Sequence, residues 1–342
     1  MGGIILAYLA AWWTLFYLLA LSGAIVSADQ GLLQDLGFNV LPDISKINIS
    51  LDEYTTMMNT YLHIRQKSGD DATTIPKLLT FDVDQKVVWK RKVPSIRLRF
   101  PLVPDPEIEV EDAHLRLLAP PQLHEPATVK VQVNLVLGAR KRRLLEERIL
   151  YLSKNSTKWC EVDVTSAVQS WFSGNINLGL ELVCLDFNCR LNPQRAAITS
   201  LVHSGLGRRT RRASPYQSGG KTDCPKGKGK RKCCRQNMKV NFTKLDFPEM
   251  NFILQPKTYE AGYCHGLCPP DFNHATNHSR IQSLMRQMEH KSTSRRPKKI
   301  PKACCAPSKL GSLDILLINK DNPSKLMVEK WDNMVVEECA CS

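Results

Sequence analysis

The feature that most limits what this chain can become is its C-terminal cysteine array: Cys224, Cys233 and Cys234, Cys264 and Cys268, Cys304 and Cys305, Cys339 and Cys341. Nine of the twelve cysteines lie there, so cross-links, and not a large apolar core, must specify this part, as in small secreted domains. Adjacent Cα atoms sit about 3.8 Å apart, whereas a disulfide needs roughly 4.4–6.8 Å, so neither vicinal pair closes on itself. Cys339 and Cys341 end a strand-like run and face the same way. Cys264 and Cys268 offer two thiols in return. Joining pair to pair closes a ring of eight residues, with Gly266 mid-way along the longer side, where a glycine permits positive φ and leaves the hole open. A zinc site using the same spacings and the nearby histidines is the competing reading. An oxidising secretory compartment disfavours it.

The arrangement Cys264-His265-Gly266-Leu267-Cys268 with Cys339-Ala340-Cys341 resembles the cystine knot of the TGF-β superfamily, in the subset with nine cysteines in the mature domain. The resemblance implies a ring of Cys264–Cys339 and Cys268–Cys341, threaded by Cys233–Cys305, with Cys224–Cys234 outside it. It leaves Cys304 to bond its counterpart in a second copy, and an odd cysteine in a secreted domain points the same way. The implied fold is small, disulfide-rich and mainly β, with two hairpin fingers and one helix. Apolar alternation places one finger over 238–263 and the other over 313–341, turning at 319–324. Thr276 or Asn277 caps a helix carrying Ile281, Leu284, Met285 and Met288 at i, i+3, i+4, i+7. By resemblance this stripe packs on a partner subunit; packing on its own domain is the alternative. Within the superfamily, the Pro269-Pro270 pair, the 303–310 run and the 336–342 ending resemble the invertebrate maverick branch.

The preceding part of the chain also has a recognisable order. Leu32, Leu33 and Leu36 form a short helical stripe ending at Gly37, and Ser50-Leu51-Asp52-Glu53 has the form of a capping box before Tyr54, Met57, Met58, Tyr61 and Leu62. From Phe81 the pattern becomes short alternating strands, interrupted by a helix at Ala167, Val168, Trp171 and Phe172 capped from Asp163 or Thr165. These features resemble the TGF-β propeptide, an α+β domain whose N-terminal helices the family drapes over the receptor-binding surfaces of the mature dimer. Packing on its own β domain is again the alternative for each helix. Cys160, Cys184 and Cys189 are odd in number; a Cys184–Cys189 bond leaves Cys160 for an interchain or carrier bond.

Arg209-Thr210-Arg211-Arg212 fits the R-x-R-R pattern of secretory proprotein convertases and precedes a Gly- and Ser-containing linker. The expected organisation is a signal peptide at 1–28, a propeptide at 29–207, the basic site at 208–212, and the mature domain at 213–342 released by cleavage after Arg212. Arg140 to Arg143 also fits the pattern, inside the strands. The signal rests on the apolar stretch from Ile4 to Leu21 followed by small residues up to Ala28; an uncleaved anchor is the alternative.

The net charge of +14 sits mostly in the last third, where residues 213–342 hold 22 lysines and arginines against 12 acidic residues. In a secreted domain such an excess fits sulfated polysaccharide better than nucleic acid. Lys226, Lys228, Lys230, Arg231 and Lys232, with Arg295, Arg296, Lys298 and Lys299, are candidate heparan sulfate contacts; plain solubility is the other reading. Sequons stand at Asn48, Asn155, Asn241 and Asn277. By resemblance, Phe247, Phe252, Pro269, Pro270, Phe272, Trp331 and Met334 form the type I receptor site, and Gly311, Ile315, Leu316 and Val328 the type II site. The partners implied are a second copy, its own propeptide, a convertase and the two classes of receptor serine/threonine kinase. No phosphate loop, H-E-x-x-H or G-x-S-x-G motif points to an enzyme, and no cofactor is implied. A cystine-knot antagonist that sequesters other factors is the rival function.

Overall fold

The computed structural model describes residues 46–68, 75–89, 95–121, 128–153, 155–186, 193, 195–204, 223–225, 232–244, 252–291 and 299–342. The first expected helix, the signal segment, Arg209, Arg211, Arg212 and most of the basic loops lie outside them. Among the described residues no helix is long and apolar enough to cross a membrane.

The part expected to be the propeptide is built of two antiparallel sheets. One orders β1 (Lys77–Asp82), β9 (Arg195–Ser204), β4 (Ile108–Ala119) and β7 (Lys158–Asp163) as β1-β9-β4-β7. The other orders β2 (Gln85–Trp89), β3 (Ser95–Arg99), β8 (Leu180–Cys184), β5 (Thr128–Val136) and β6 (Arg142–Tyr151) as β2-β3-β8-β5-β6. Alternation gives each sheet one apolar face, and Leu98, Leu115, Leu117, Val133, Leu135, Leu180, Leu182 and Ile198 share one core. Val168, Trp171 and Phe172 fill it from a helix at Thr165–Phe172. Its cap differs slightly from expectation: the N-cap is Val164, which makes no side-chain bond, while Asp163 Oδ1 accepts from the Thr165 amide at 2.8 Å.

Cys160 belongs to this core. Only 7% exposed, with burial pushing its thiol up to about 11, it is packing material, which corrects the expectation of an interchain or carrier bond. Cys184 is disulfide-bonded; Cys189 lies outside the described residues. Arg142 is hydrogen-bonded through Nε to Glu181 Oε2 at 2.5 Å, and its chain segment is laddered to β5. A convertase needs an extended, unpaired segment, so the Arg140–Arg143 run is poorly presented for cutting.

The expected long helix is Leu51–Lys67, α1 here. Ser50 caps it by accepting from the Glu53 amide at 3.1 Å, Asp52 and Glu53 occupy the first turn and Arg65 and Lys67 the last, as the helix dipole favours. Tyr54, Met58, Tyr61 and Leu62 form its buried stripe.

In the mature region, β10 (Cys234–Gln236) pairs with β14 (Tyr263–His265), and β11 (Lys239–Asn241) with β13 (Thr258–Glu260), giving the first finger. The second is β15 (Cys305–Ile318) against β16 (Leu326–Cys341), turned by Asn319, whose Oδ1 accepts from the amides of Asp321 and Asn322. A short β12 (Ile253–Gln255) adds to β15 and ties the fingers together. The remaining helix, Asn277–Lys291, is opened by Thr276, whose Oγ1 accepts from the Ser279 amide. Its small polar residues Ser279 and Ser283 face inward, 2% and 6% exposed. The apolar residues Ile281, Leu284, Met285 and Met288 face outward, 42–65% exposed. This helix shows water the face that helices normally bury.

Candidate functional site

At the base of the fingers the structure joins Cys264 to Cys339, Cys268 to Cys341, Cys233 to Cys305 and Cys224 to Cys234, with Cα separations of 4.9–5.6 Å. These are the pairs implied by resemblance. The Sγ atoms of Cys233, Cys268 and Cys341 lie within 4.8 Å of one another, so the third bond runs against the ring, and every one of the three is committed to a disulfide. Gly266 has φ +129°, and a Cβ there would stand 2.4 Å from the Lys232 carbonyl oxygen. The hole in the ring is filled by the incoming chain. Cys304 is exposed and free, on a segment whose amide and carbonyl both bond Ser342 at 2.8 Å. A solvent-facing thiol therefore stands beside the C-terminus.

The β15–β16 hairpin has two faces. Leu313, Ile315 and Leu317 share one with Trp331; Asp314, Leu316 and Ile318 share the other with Val328. The expected type II set is therefore split, because Ile315 and Leu316 are neighbours in a strand and point opposite ways. Both are wholly buried. α1 is tied to the second face by Ser68 Oγ, which reaches Asp314 Oδ2 at 3.1 Å, and by Glu53 at the Leu326 amide, and its Met58, Tyr61 and Leu62 share one apolar cluster with residues of both faces, Leu316, Ile318 and Leu326 among them. Leu201 of β9 belongs to the same cluster, so the helix lies between the mature fingers and its own β domain. The helix thus packs on its own β domain and on the mature fingers together.

Glu53 fastens the helix. Its carboxylate does not return to the Ser50 amide as a capping box would; it accepts from the Leu326 amide at 3.0 Å and from Lys325 Nζ at 2.9 Å. Burial pushes its pKa up, but Lys325 and the Leu326 amide outweigh that and leave it lowered. The Asn48 amide nitrogen donates to the Pro323 carbonyl at 3.2 Å, while the Asn48 side chain accepts from the Trp159 amide at 2.8 Å and donates to the Thr157 carbonyl at 3.4 Å. This side chain pins the entry to α1. Asn155 and Asn277 are exposed, whereas Asn241 ends β11 with its Oδ1 bonded to Thr243.

On the first face, Trp331 meets Phe242 edge-on at 6.5 Å, Phe242 stacks on Tyr259 at 5.3 Å, and Phe252 and Met334 join the same cluster. Phe272 instead packs against the knot, under Lys232 Nζ at 4.9 Å from its ring, with Pro269 and Pro270 just before it. One protomer thus divides the expected type I set between its fingers and its knot end; Phe247 lies outside the described residues. Gly311 is half-buried against Glu337. Of the candidate polysaccharide contacts, Lys232 and Lys299 are described and exposed; Lys226, Lys228, Lys230, Arg231, Arg295, Arg296 and Lys298 lie outside the described residues.

A charged cluster within the propeptide faces the mature domain's Lys257. Glu161 of β7 bonds Arg116 of β4 at 2.8 Å, and the Arg116 guanidinium lies 3.4 Å over the Tyr54 ring of α1. Burial would push Glu161 up, but Arg116, His114, Lys257 and Arg148 together hold it at about 2. With a depressed folded pKa, Glu161 contributes stability above the ordinary carboxylate value of 4.5 and loses it as pH falls toward 2. Melting followed from pH 5 to pH 2 should fall steeply in the wild type and less steeply in Glu161→Gln, which starts less stable; parallel curves would contradict this role.

Residues 232–341 match the transforming growth factor beta like domain, and residues 45–216 match the TGF-beta propeptide. The chain therefore belongs to the TGF-β superfamily and is a growth factor precursor of that family. Among its relatives is bone morphogenetic protein 4 of Gallus gallus, 28% identical with 87% of this chain and 79% of that protein covered. The Mus musculus and Bos taurus proteins of the same name are also 28% identical, over 62% of this chain and 55% of their own length.

Proposed function

We propose that the chain is a secreted TGF-β superfamily ligand, cleaved after Arg212 and joined through Cys304 into a dimer that assembles type I and type II receptor serine/threonine kinases. The observation that carries this reading is the cover of α1 over Leu316, Ile318 and Leu326. An apolar finger face that a propeptide must shield is one that a receptor can use afterwards. The outward stripe Ile281, Leu284, Met285 and Met288 supports the dimer: packed on a partner's fingers, it would sit near that partner's Phe252, Trp331 and Met334. Pro269, Pro270 and Phe272 of one copy and the finger residues of the other then complete a type I site. Proprotein convertase and heparan sulfate are the remaining partners of this reading.

The test is a cell assay with the purified mature dimer, alongside binding to receptor ectodomains. A ligand triggers phosphorylation of intracellular effectors by itself, and Leu316→Asp removes type II binding. Suppression of another factor's signal, without a signal of its own, would favour the antagonist instead.

A further inference from the structure

Where the propeptide strands meet the first finger there is a cavity of about 190 Å³ lined by Tyr54, Asp112, His114, Glu161, Lys257 and neighbouring residues of both parts. One oxygen, Asp112 Oδ2, faces two nitrogens: Lys257 Nζ of the mature domain at 3.1 Å and His114 Nδ1 at 3.4 Å. The other imidazole nitrogen faces Glu161 Oε1 at 3.4 Å. His114 faces Asp112 on its own strand and Glu161 on β7; Tyr54 of α1 and Lys257 of the mature domain line the same cavity, Arg116 of β4 holds Glu161, and Arg148 of β6 lies near Glu161.

We infer that His114 is a proton-operated release for the propeptide: a proton on its imidazole and the mature domain's Lys257 compete for the same Asp112 oxygen. With a neutral imidazole, Asp112 is left to Lys257, and Glu161 to Arg116. A protonated imidazole places a third cation between the two carboxylates, a few ångströms from Lys257, inside a cavity where screening is weaker than in bulk water. By linkage, a proton that repels Lys257 must loosen the mature arm, and a docked Lys257 must oppose the proton. Glu161, held at about 2, is ionised at pH 5.5 as at pH 7.5. The propeptide therefore grips more weakly near pH 5.5 than near pH 7.5.

This inference rests on the proposed cleavage only in treating the two parts as separable. Propeptide dissociation from the processed complex is measured at both pH values for wild type, His114→Gln and Lys257→Gln. Wild type should dissociate on the order of three- to tenfold faster at pH 5.5, the size of one charge–charge coupling in a partly wet site. Both variants should lose most of that ratio. A wild-type ratio near one, or the full ratio retained in His114→Gln, overturns the proposal. If no cleavage occurs, a reducing gel shows the uncut chain, and that failure belongs to the processing site. Hydrogen exchange of the Phe242 amide, bonded to the Lys257 carbonyl at 3.0 Å, then reads the same competition in the intact chain. At pH 5.5 it should exchange faster in wild type than in His114→Gln at that pH, with the gap closing at pH 7.5; equal rates at both overturn it. Lys257 is 40% exposed, so its variant keeps the test open should His114→Gln fold poorly.

Discussion

Gly266→Val should abolish secretion of a correctly bridged mature domain, reducing the yield at least about tenfold, the effect of little more than 1 kcal/mol on a marginally stable fold. The backbone there lies at φ +129°, which side chains rarely adopt, and a Cβ would stand 2.4 Å from the Lys232 carbonyl oxygen and 2.9 Å from the Cys233 nitrogen. Those atoms are backbone of the very segment that carries the Cys233–Cys305 bond past the ring. The clash therefore cannot be relieved by turning a side chain, and either the ring or the third bond must fail. Each lost disulfide costs about 2–5 kcal/mol in a small domain. Gly311→Ala provides the contrast. The nearest atoms its Cβ would meet belong to the end of the Glu337 side chain, which is flexible although paired with Lys309, so secretion should be close to normal. Non-reduced mass and secreted yield of the two variants check the prediction.

Met58→Asp should weaken the hold of the propeptide on the mature domain by about 100-fold, or ~3 kcal/mol. Met58 is 0% exposed in the stripe that shares one apolar cluster with Leu316, Ile318 and Leu326. An aspartate there must either bury a charge among aliphatic groups or lift the helix away, and both options cost several kcal/mol. Asn59, the next residue, is exposed. Asn59→Asp adds the same charge and should change the dissociation constant by less than about threefold. Equal effects of the two substitutions would mean that helix charge, and not burial, governs the contact.

The knot was the most legible part of the chain because its constraint is covalent and local: two thiols two residues apart, a glycine between two others, and vicinal cysteines that cannot bond each other. The long helix was legible for a similar reason, since Ser50, the acidic first turn and the apolar spacing all lie within one segment. Long-range partners were not. Glu53 reads as half of a capping box, and only the fold reveals that its carboxylate goes to Lys325 and Leu326, about 270 positions later. Asn48 reads as a sequon for the same reason. Ile315 and Leu316 fell into one expected receptor set although strand alternation sends them to opposite faces, a rule that the sequence itself could have supplied. The cluster around His114 left no local pattern at all, because Asp112 and Glu161 come from two strands, β4 and β7, and Lys257 from the bend between β12 and β13, on the far side of the proposed processing site.

The central claim is that one finger face serves two occupants, the propeptide helix first and a type II receptor afterwards. Its most direct test is competition: the mature dimer is bound to a type II receptor ectodomain while separate propeptide is titrated in, as wild type or as Met58→Asp. The account predicts that wild-type propeptide displaces the receptor and that the variant does not. Receptor binding that persists when wild-type propeptide saturates the dimer would contradict it.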